Sequence, residues 1–223
     1  METMTEIGTE LKESLEVPLL DKVSGLAASF CAGKGDCRYV LENVRVTKDY
    51  TEATDGHVLV RIDHAGMPLG EFPISAGVKN CVGDALINGE ALSRAIKGVG
   101  KGRLPILECV RYGETEGGEK VIVSFNKEIK ETRTVIGVEE EEGPFPKTEV
   151  LMDKVSNNMM ENPAKSFTFN VEQLGRIVAL AKGMKGERVS FSFSGGESDP
   201  AVFEVKAGDR KAVGLVMGIN ARG

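Results

Sequence analysis

The chain has 223 residues, with 28 Lys and Arg against 34 Asp and Glu, for a formal net charge of −6. With 41% apolar and 28% charged residues it reads as a globular protein, with room for one large domain or two of ordinary size. The acidic balance excludes a strong charge-driven grip on nucleic acid, because affinity rises with each phosphate neutralised, but it does not exclude loose enclosure of a duplex.

Residues 1–13 read as a flexible polar tail, too acidic for a signal peptide. Val17, Leu19, Leu20, Val23, Leu26, Ala27 and Phe30 follow helical spacing with Pro18 in the first turn, which predicts a helix that stops at Gly33 and Gly35. A strand-like run from Arg38 to Thr47 and a second from Val58 to Ile62 are separated by the polar break Lys48-Asp49-Tyr50. In the second run Val58, Val60 and Ile62 share one face, and Leu59 and Arg61 the other. Gly66-Met67-Pro68 ends it, and Phe72-Pro73-Ile74 is a further short extended piece.

A second unit opens with the short strand Ala85-Leu86-Ile87. Asn88 is a good N-cap, and Ala91, Leu92, Ala95, Ile96 and Val99 form an apolar helical stripe closed by Gly98, Gly100 and Gly102. Strands are expected at Pro105–Tyr112, Lys120–Phe125 and Glu131–Val138, before Gly143-Pro144-Phe145-Pro146. A third unit has a strand at Ser166–Phe169 and an N-cap at Asn170, with Gln173 positioned for a capping box. A helix would bury Leu174, Ile177, Val178 and Ala181, and strands follow at Val189–Phe193, Ala201–Lys206 and Ala212–Met217.

Two of these units share a signature. Asn88, Glu90, Leu92 and Arg94 fall in phase with Asn170, Glu172, Leu174 and Arg176, which indicates a repeated strand–helix–antiparallel-strand unit. The expected division is a first domain of two units over 14–152 and a second, partial or degenerate one over 153–223. Three helices are predicted; either a degenerate fourth unit lies in the stretch from Asp153 to Pro163, or the chain holds one and a half domains.

The segment Ala53-Thr54-Asp55-Gly56-His57-Val58-Leu59 resembles the A-T-D-G-H-R-L segment of the bacterial DNA sliding clamp, the beta subunit of DNA polymerase III, with Val58 in place of Arg. Gly143-Pro144-Phe145-Pro146 resembles the G-x-F-P closing a clamp domain, and Leu215-Val216-Met217-Gly218 is similar to the terminal V-M-P-M-R, with Gly218 in place of Pro. The resemblance covers most of 14–220. It implies an α+β, DNA-clamp-like fold with helices on one face of antiparallel sheets and no catalytic activity. It also implies a processivity factor that encircles duplex DNA as a homo-oligomeric ring, placed by a clamp loader. Polymerase peptides would dock in a pocket made of Thr54, Gly56, His57, Leu59, Val216 and Met217. The bacterial clamp has three domains per chain, and this length leaves room for two.

The cations suit such a role. Lys22 lies on the first predicted helix; Arg94, Lys97, Lys101 and Arg103 lie on or after the second; Arg176, Lys182, Lys185 and Arg188 accompany the third. They are expected to face DNA, although pairing of cations with helix C-termini would place some of them equally well.

Other motifs give less. Asp55 and His57 could form a proton-transfer pair in a small hydrolase or isomerase, or Asp55 could simply tie down a turn. Gly98-Val99-Gly100-Lys101-Gly102 follows a helix instead of a strand and lacks the Ser or Thr of a phosphate loop. His57 and His64 are badly spaced for a shared metal, and Glu139–Glu142 lacks the pattern of a calcium loop, so no metal or cofactor is expected. Cys31, Cys37, Cys81 and Cys109 have no C-x-x-C spacing, and no apolar run is long enough for a membrane span, as in a reduced cytoplasmic protein. A third reading is a clamp-fold module that binds proteins without DNA.

Overall fold

The computed structural model describes residues 16–35, 39–99, 104–126, 128–136, 144–158, 168–193 and 200–218. Antiparallel pairing dominates. Strands β1 (Asn43–Val46), β2 (Tyr50–Thr54) and β3 (Val58–Asp63) form a meander, with β5 (Ala85–Asn88) beside β1. Strands β9 (Val189–Ser192), β10 (Ala201–Ala207) and β11 (Arg210–Val216) form a second meander. β11 pairs with β3, joining Val216 to Val58 and Ala212 to Ile62, so the sheet runs β5-β1-β2-β3-β11-β10-β9. A four-stranded sheet is built from β4 (Val78–Asn80), β6 (Val110–Thr115), β7 (Lys120–Phe125) and β8 (Glu131–Val135).

Alternation along the strands decides what each face covers. Val58, Val60 and Ile62 of β3, Ala212 and Val216 of β11, and Phe203 of β10 enter the main core. Against them pack the 3-10 helix Ser24–Phe30 and the helices α1 (Gly89–Gly98) and α3 (Val171–Met184), through Phe30, Leu92, Ile96, Ile177 and Leu180. The helices after Asn88 and Asn170 therefore lie on the same face, with the 3-10 helix between them. The four-stranded sheet adds Tyr112 and Ile122 to this core. Its other face carries a smaller cluster of Leu107, Val121, Val123 and Phe125. The seam between the meanders is tight at Gly214, where an added Cβ would sit 2.0 Å from the Leu59 carbonyl oxygen and 2.3 Å from the Phe203 ring.

Helix α2 (Thr148–Asn158) lies on the opposite face of the seven-stranded sheet, with Met152 and Val155 against Leu59, Leu215 and Val202. Its first turn is tied to a fully buried carboxylate. Glu52 accepts hydrogen bonds from Arg45 at 3.0 Å, Arg61 at 3.0 Å and the Thr148 hydroxyl at 2.8 Å. Arg45 also binds Glu149 at 3.0 Å, Tyr50 donates to Glu149 at 2.9 Å, and the Arg61 guanidinium lies 4.0 Å from the centre of the Tyr50 ring.

Several expectations change. Residues 16–20 are extended, with Leu20 bridged to Val110, because Pro18 disfavours helical angles at Val17. The turn begins only where the Asp21 carboxylate accepts the Ser24 amide N–H at 2.9 Å. Residues 50–54 form a strand that the sequence reading left out, and Pro105–Glu108 is a 3-10 helix, as Pro at its first position allows. In α3 the buried stripe is Gln173, Ile177, Leu180, Ala181 and Met184; Val178 is exposed and Leu174 half-buried, so Leu92 and Leu174 are not equivalent. The Gln173 capping box is not made: Asn170 caps the Glu172 N–H at 2.8 Å, and the Gln173 Oε1 has no partner. Thr168 and Phe169 are not in a strand. The expected boundary between Met152 and Asp153 falls inside α2. The tail at 1–13, Gly143, Ser166 and Pro163 lie outside the described residues.

Removing the Glu52 carboxylate takes the main acceptor from Arg61 and the Thr148 hydroxyl, and one of three carboxylate partners from Arg45. Glu52→Ala is expected to lower the unfolding free energy by about 3 kcal/mol in urea denaturation, whereas Glu90→Ala, an exposed helical pair, should change it by less than about 0.5 kcal/mol.

Candidate functional site

Between Thr54, the last residue of β2, and Val58, the first of β3, the chain makes a tight turn through Asp55, Gly56 and His57. The Asp55 carboxylate accepts the N–H groups of His57 at 2.8 Å and Val58 at 2.9 Å, and the Thr54 hydroxyl accepts that of Gly56 at 3.0 Å. Gly56 has φ 91°, which only glycine adopts without strain. The second Asp55 oxygen binds Arg176 of α3 at 2.5 Å, and that guanidinium also lies over Phe30. Burial opposes ionisation of Asp55, but the Val58 N–H, Arg176 and the His57 N–H outweigh it and hold the carboxyl below its usual range. Asp55 bonds to the backbone of His57, not its imidazole, so the proton-transfer pair is not formed; the turn separates side chains that a straight strand would align.

This turn abuts the end of β11, where the Met217 N–H donates to the His57 carbonyl at 2.9 Å. Between them opens a groove of about 400 Å³. Thr54, Gly56, His57 and Leu59 line one side, Leu215 and Met217 the floor, and Leu151, Lys154 and Val155 of α2 the far wall. Pro146 and Pro200 complete the rim. Of the pocket residues expected from sequence, only Val216 is missing. Period-2 alternation sends it into the core on the other face, fully buried, and puts Leu215 in its place. The α2 wall was missed, though Thr148 after Pro146 and the Leu151, Met152, Val155 spacing carry a helix signal.

The wall is held by charge. Glu149's own amide N–H, the Tyr50 hydroxyl and Arg45 hold its carboxyl down at about 2 despite some desolvation, while burial and Glu149 push the Tyr50 phenol up to about 12.

The predicted DNA-facing cations are distributed unevenly. Arg94 and Lys97 line a concavity of about 850 Å³ beside the 3-10 helix, and Arg94 is paired with Glu90 at 2.9 Å. Lys185 and Arg188 line another of about 470 Å³ next to Lys206 and Glu204. Lys182 is exposed, and Lys22 is 3.7 Å from Glu108. Arg176 is committed to Asp55 and Phe30. Lys101, Arg103, Cys37 and Glu139–Glu142 lie outside the described residues. Among the described residues no three His, Cys, Asp or Glu are grouped to hold a metal, and no helix is long and apolar enough to cross a membrane.

No protein-family model matches the chain, and no curated protein sequence matches it. Solved structures do. The DNA polymerase beta subunit of Streptococcus pyogenes is similar at 12% identity, with a TM-score of 0.53 over 92% of this chain and 66% of that one. The DNA polymerase III beta chain of Streptococcus pneumoniae is similar at 15% identity, with a TM-score of 0.53 over 92% and 65%. The proliferating cellular nuclear antigen of Entamoeba histolytica is similar at 12% identity, with a TM-score of 0.50 over 93% and 99%. The chain thus spans slightly less than two thirds of the bacterial subunits it matches. The fold is α+β and that of DNA sliding clamps.

The sign of the pH dependence follows from Glu149. Its folded pKa, about 2, is depressed below the ordinary 4.5, so its contribution is complete above 4.5 and is lost as pH falls toward 2. Stability is expected to drop over that window, and Glu149→Gln should flatten the drop when unfolding is followed by urea titration at successive pH values.

Proposed function

We propose that this chain is a non-catalytic, clamp-like tether. It tracks duplex DNA without reading sequence, as a ring-like homo-oligomer placed by a loader, and holds a DNA polymerase or another DNA-acting enzyme through short peptides seated in the groove. The observation that carries the reading is the groove itself. On a clamp fold, two segments far apart in sequence, the Thr54–Leu59 turn and the end of β11, converge with α2 on a concave, largely apolar surface. Such a surface suits Leu or Phe anchors from an extended peptide.

Charge supports the DNA part of the reading more weakly. Lys97, Lys182, Lys185 and Arg188 are exposed on or beside the helices, within a chain of net charge −6. Weak local contact with phosphates combined with enclosure suits sliding better than tight binding does. The commitment of Arg94 to Glu90 and of Arg176 to Asp55 favours a second reading, a clamp-fold module that binds proteins without DNA.

Two measurements separate them. A Leu- and Phe-bearing peptide is expected to bind the wild type and to lose about tenfold in affinity to Met217→Glu, a change at a partly exposed position that should leave the circular dichroism spectrum intact. With a loader, the protein should stay on circular DNA at raised salt and leave when the circle is linearised. Peptide binding without retention on circles would put the second reading in front, and tight sequence-specific binding by a monomer would sink both.

A further inference from the structure

The outer face of the four-stranded sheet holds a buried cation among apolar side chains. Arg111 of β6 lies opposite Val123 of β7, on the face that carries Cys109, Val121 and Phe125. It is 8% exposed, its guanidinium is 5.8 Å from the centre of the Phe72 ring, and its Nε and Nη2 atoms are shut off from solvent without a hydrogen-bond partner among the described residues. Those two N–H groups form one edge of the guanidinium, a fork that matches a carboxylate. The chain uses the same edge twice elsewhere. Arg45 closes it on Asp84 at 3.2 and 2.8 Å, and Arg61 closes it on Glu52 at 3.2 and 3.0 Å.

Strand register keeps the nearest carboxylates from doing this for Arg111. Val123 lies opposite Arg133 of β8, so Glu131 is one row away and two strands, about 10 Å, across. Glu131 is taken up by the Ser75 hydroxyl at 2.8 Å and by Arg133. Burial pulls the Arg111 pKa below its usual range, and the fields of Glu131 and Glu16 oppose that. A buried charge without an acceptor opposes folding, and a carboxylate brought to this edge would relieve that cost. The edge is roofed by the stretch from Gly66 to Gly77, which have φ of 66° and 70°. Met67, Leu69 and Phe72 pack down on the cluster. From Met67 to Ile74 the backbone hydrogen bonds among the described residues stay within the roof, Glu71 to Pro68 and Phe72 to Leu69. Side-chain packing holds that part down, and lifting it opens the way to Arg111.

We propose that the outer face of the four-stranded sheet is a carboxylate-binding site, in which the Nε and Nη2 edge of Arg111 takes a carboxylate carried on an apolar body beneath Phe72. The apolar body lies against Phe72, Phe125 and Leu107 of the small cluster. Such a carboxylate has two sources. One is a free apolar acid. The other is the chain itself, since residues 1–15 lead into Glu16, which is bridged to Val82, and carry Glu2, Glu6, Glu10 and Glu13 among apolar residues.

The experiment uses the full chain with octanoate as the probe and octanamide, of the same chain length but uncharged, as its control. Isothermal titration is paired with the NMR signal of the Arg111 Nε–H, assigned by its loss in Arg111→Lys. Octanoate is expected to bind about tenfold more tightly than octanamide and to move that signal. Arg111→Lys, which keeps the charge but not the fork, should lose most of the difference, and Arg111→Met should abolish it. Arg111→Met should be no less stable in urea, because an apolar side chain of similar size replaces a buried charge. Met217→Glu, in the groove on the other sheet, should leave octanoate binding unchanged.

A chain with Glu2, Glu6, Glu10 and Glu13 all changed to Gln separates the sources. If these substitutions alone move the Arg111 signal and raise octanoate affinity, the site stands and its carboxylate is internal. If they change neither and octanoate binds the wild type, the site stands and takes an external acid. Absence of octanoate binding in both chains overturns the proposal, as does equal binding of octanoate and octanamide in both. A difference that persists in Arg111→Met, or one lost in Met217→Glu, also overturns it by assigning octanoate to another place.

Discussion

A single buried carboxylate decides the architecture of the outer face. Glu52 sits on β2 with no exposed surface, in a position where an unpaired charge would cost several kcal/mol. Arg45 from β1 and Arg61 from β3 approach it from the neighbouring strands, and the Thr148 hydroxyl comes down from the head of α2. A buried ion pair of this kind adds little net stability over apolar packing of the same volume. What it does is select. An amphipathic helix with Met152 and Val155 could lie on the sheet in many registers, but only one brings Thr148 within 2.8 Å of Glu52. The groove wall inherits its position from that contact.

The two faces of the seven-stranded sheet thus do different work. On one face, the 3-10 helix, α1 and α3 cover a continuous core, and the exposed cations Arg94, Lys97 and Lys182 stand on the outer sides of α1 and α3. On the other, one helix held by charge leaves part of Leu59, Leu215 and Met217 uncovered. The Asp55–Arg176 pair connects the faces, since Asp55 belongs to the turn at the rim of the groove while Arg176 belongs to a helix of the covered face. Charge pairs here consume cations that the sequence alone leaves available for DNA.

Much of this was legible beforehand, and the exceptions have physical reasons. β3 with its two faces, the Asn88 cap and the stripe Ala91, Leu92, Ala95, Ile96, Val99 depend on local periodicity, and all are present as read. The turn residues of Ala53-Thr54-Asp55-Gly56-His57 pointed to one side of the groove, where the Thr54 and Asp55 side chains cap backbone N–H groups and Gly56 takes a positive φ. What failed depended on distant partners. Val17 to Leu20 satisfy a helical spacing, yet Pro18 disfavours helical angles at Val17, and backbone bonds to Cys81 and Val110 hold the segment out of a helix. Arg94 and Arg176 occupy equivalent positions in the repeat, but one meets a glutamate on its own helix and the other an aspartate 121 residues away. Leu215 against Val216 was a question of parity, which a short motif match does not resolve.

The seam between β3 and β11 also sets an order of events. β3 ends at Asp63 and β11 begins at Arg210, so roughly 150 residues must be synthesised between them, which takes on the order of ten seconds on a ribosome. Throughout that interval the β3 edge carries unpaired N–H and C=O groups, an open template for pairing with another chain. The Gly214 contact then demands a close fit that no residue with a side chain could replace. The hydrogen bond from Met217 to His57, and with it the floor of the groove, becomes available only once β11 has been made. The groove therefore needs both ends of the chain: a chain that stops short of Met217 has the turn at His57 but not the floor beside it.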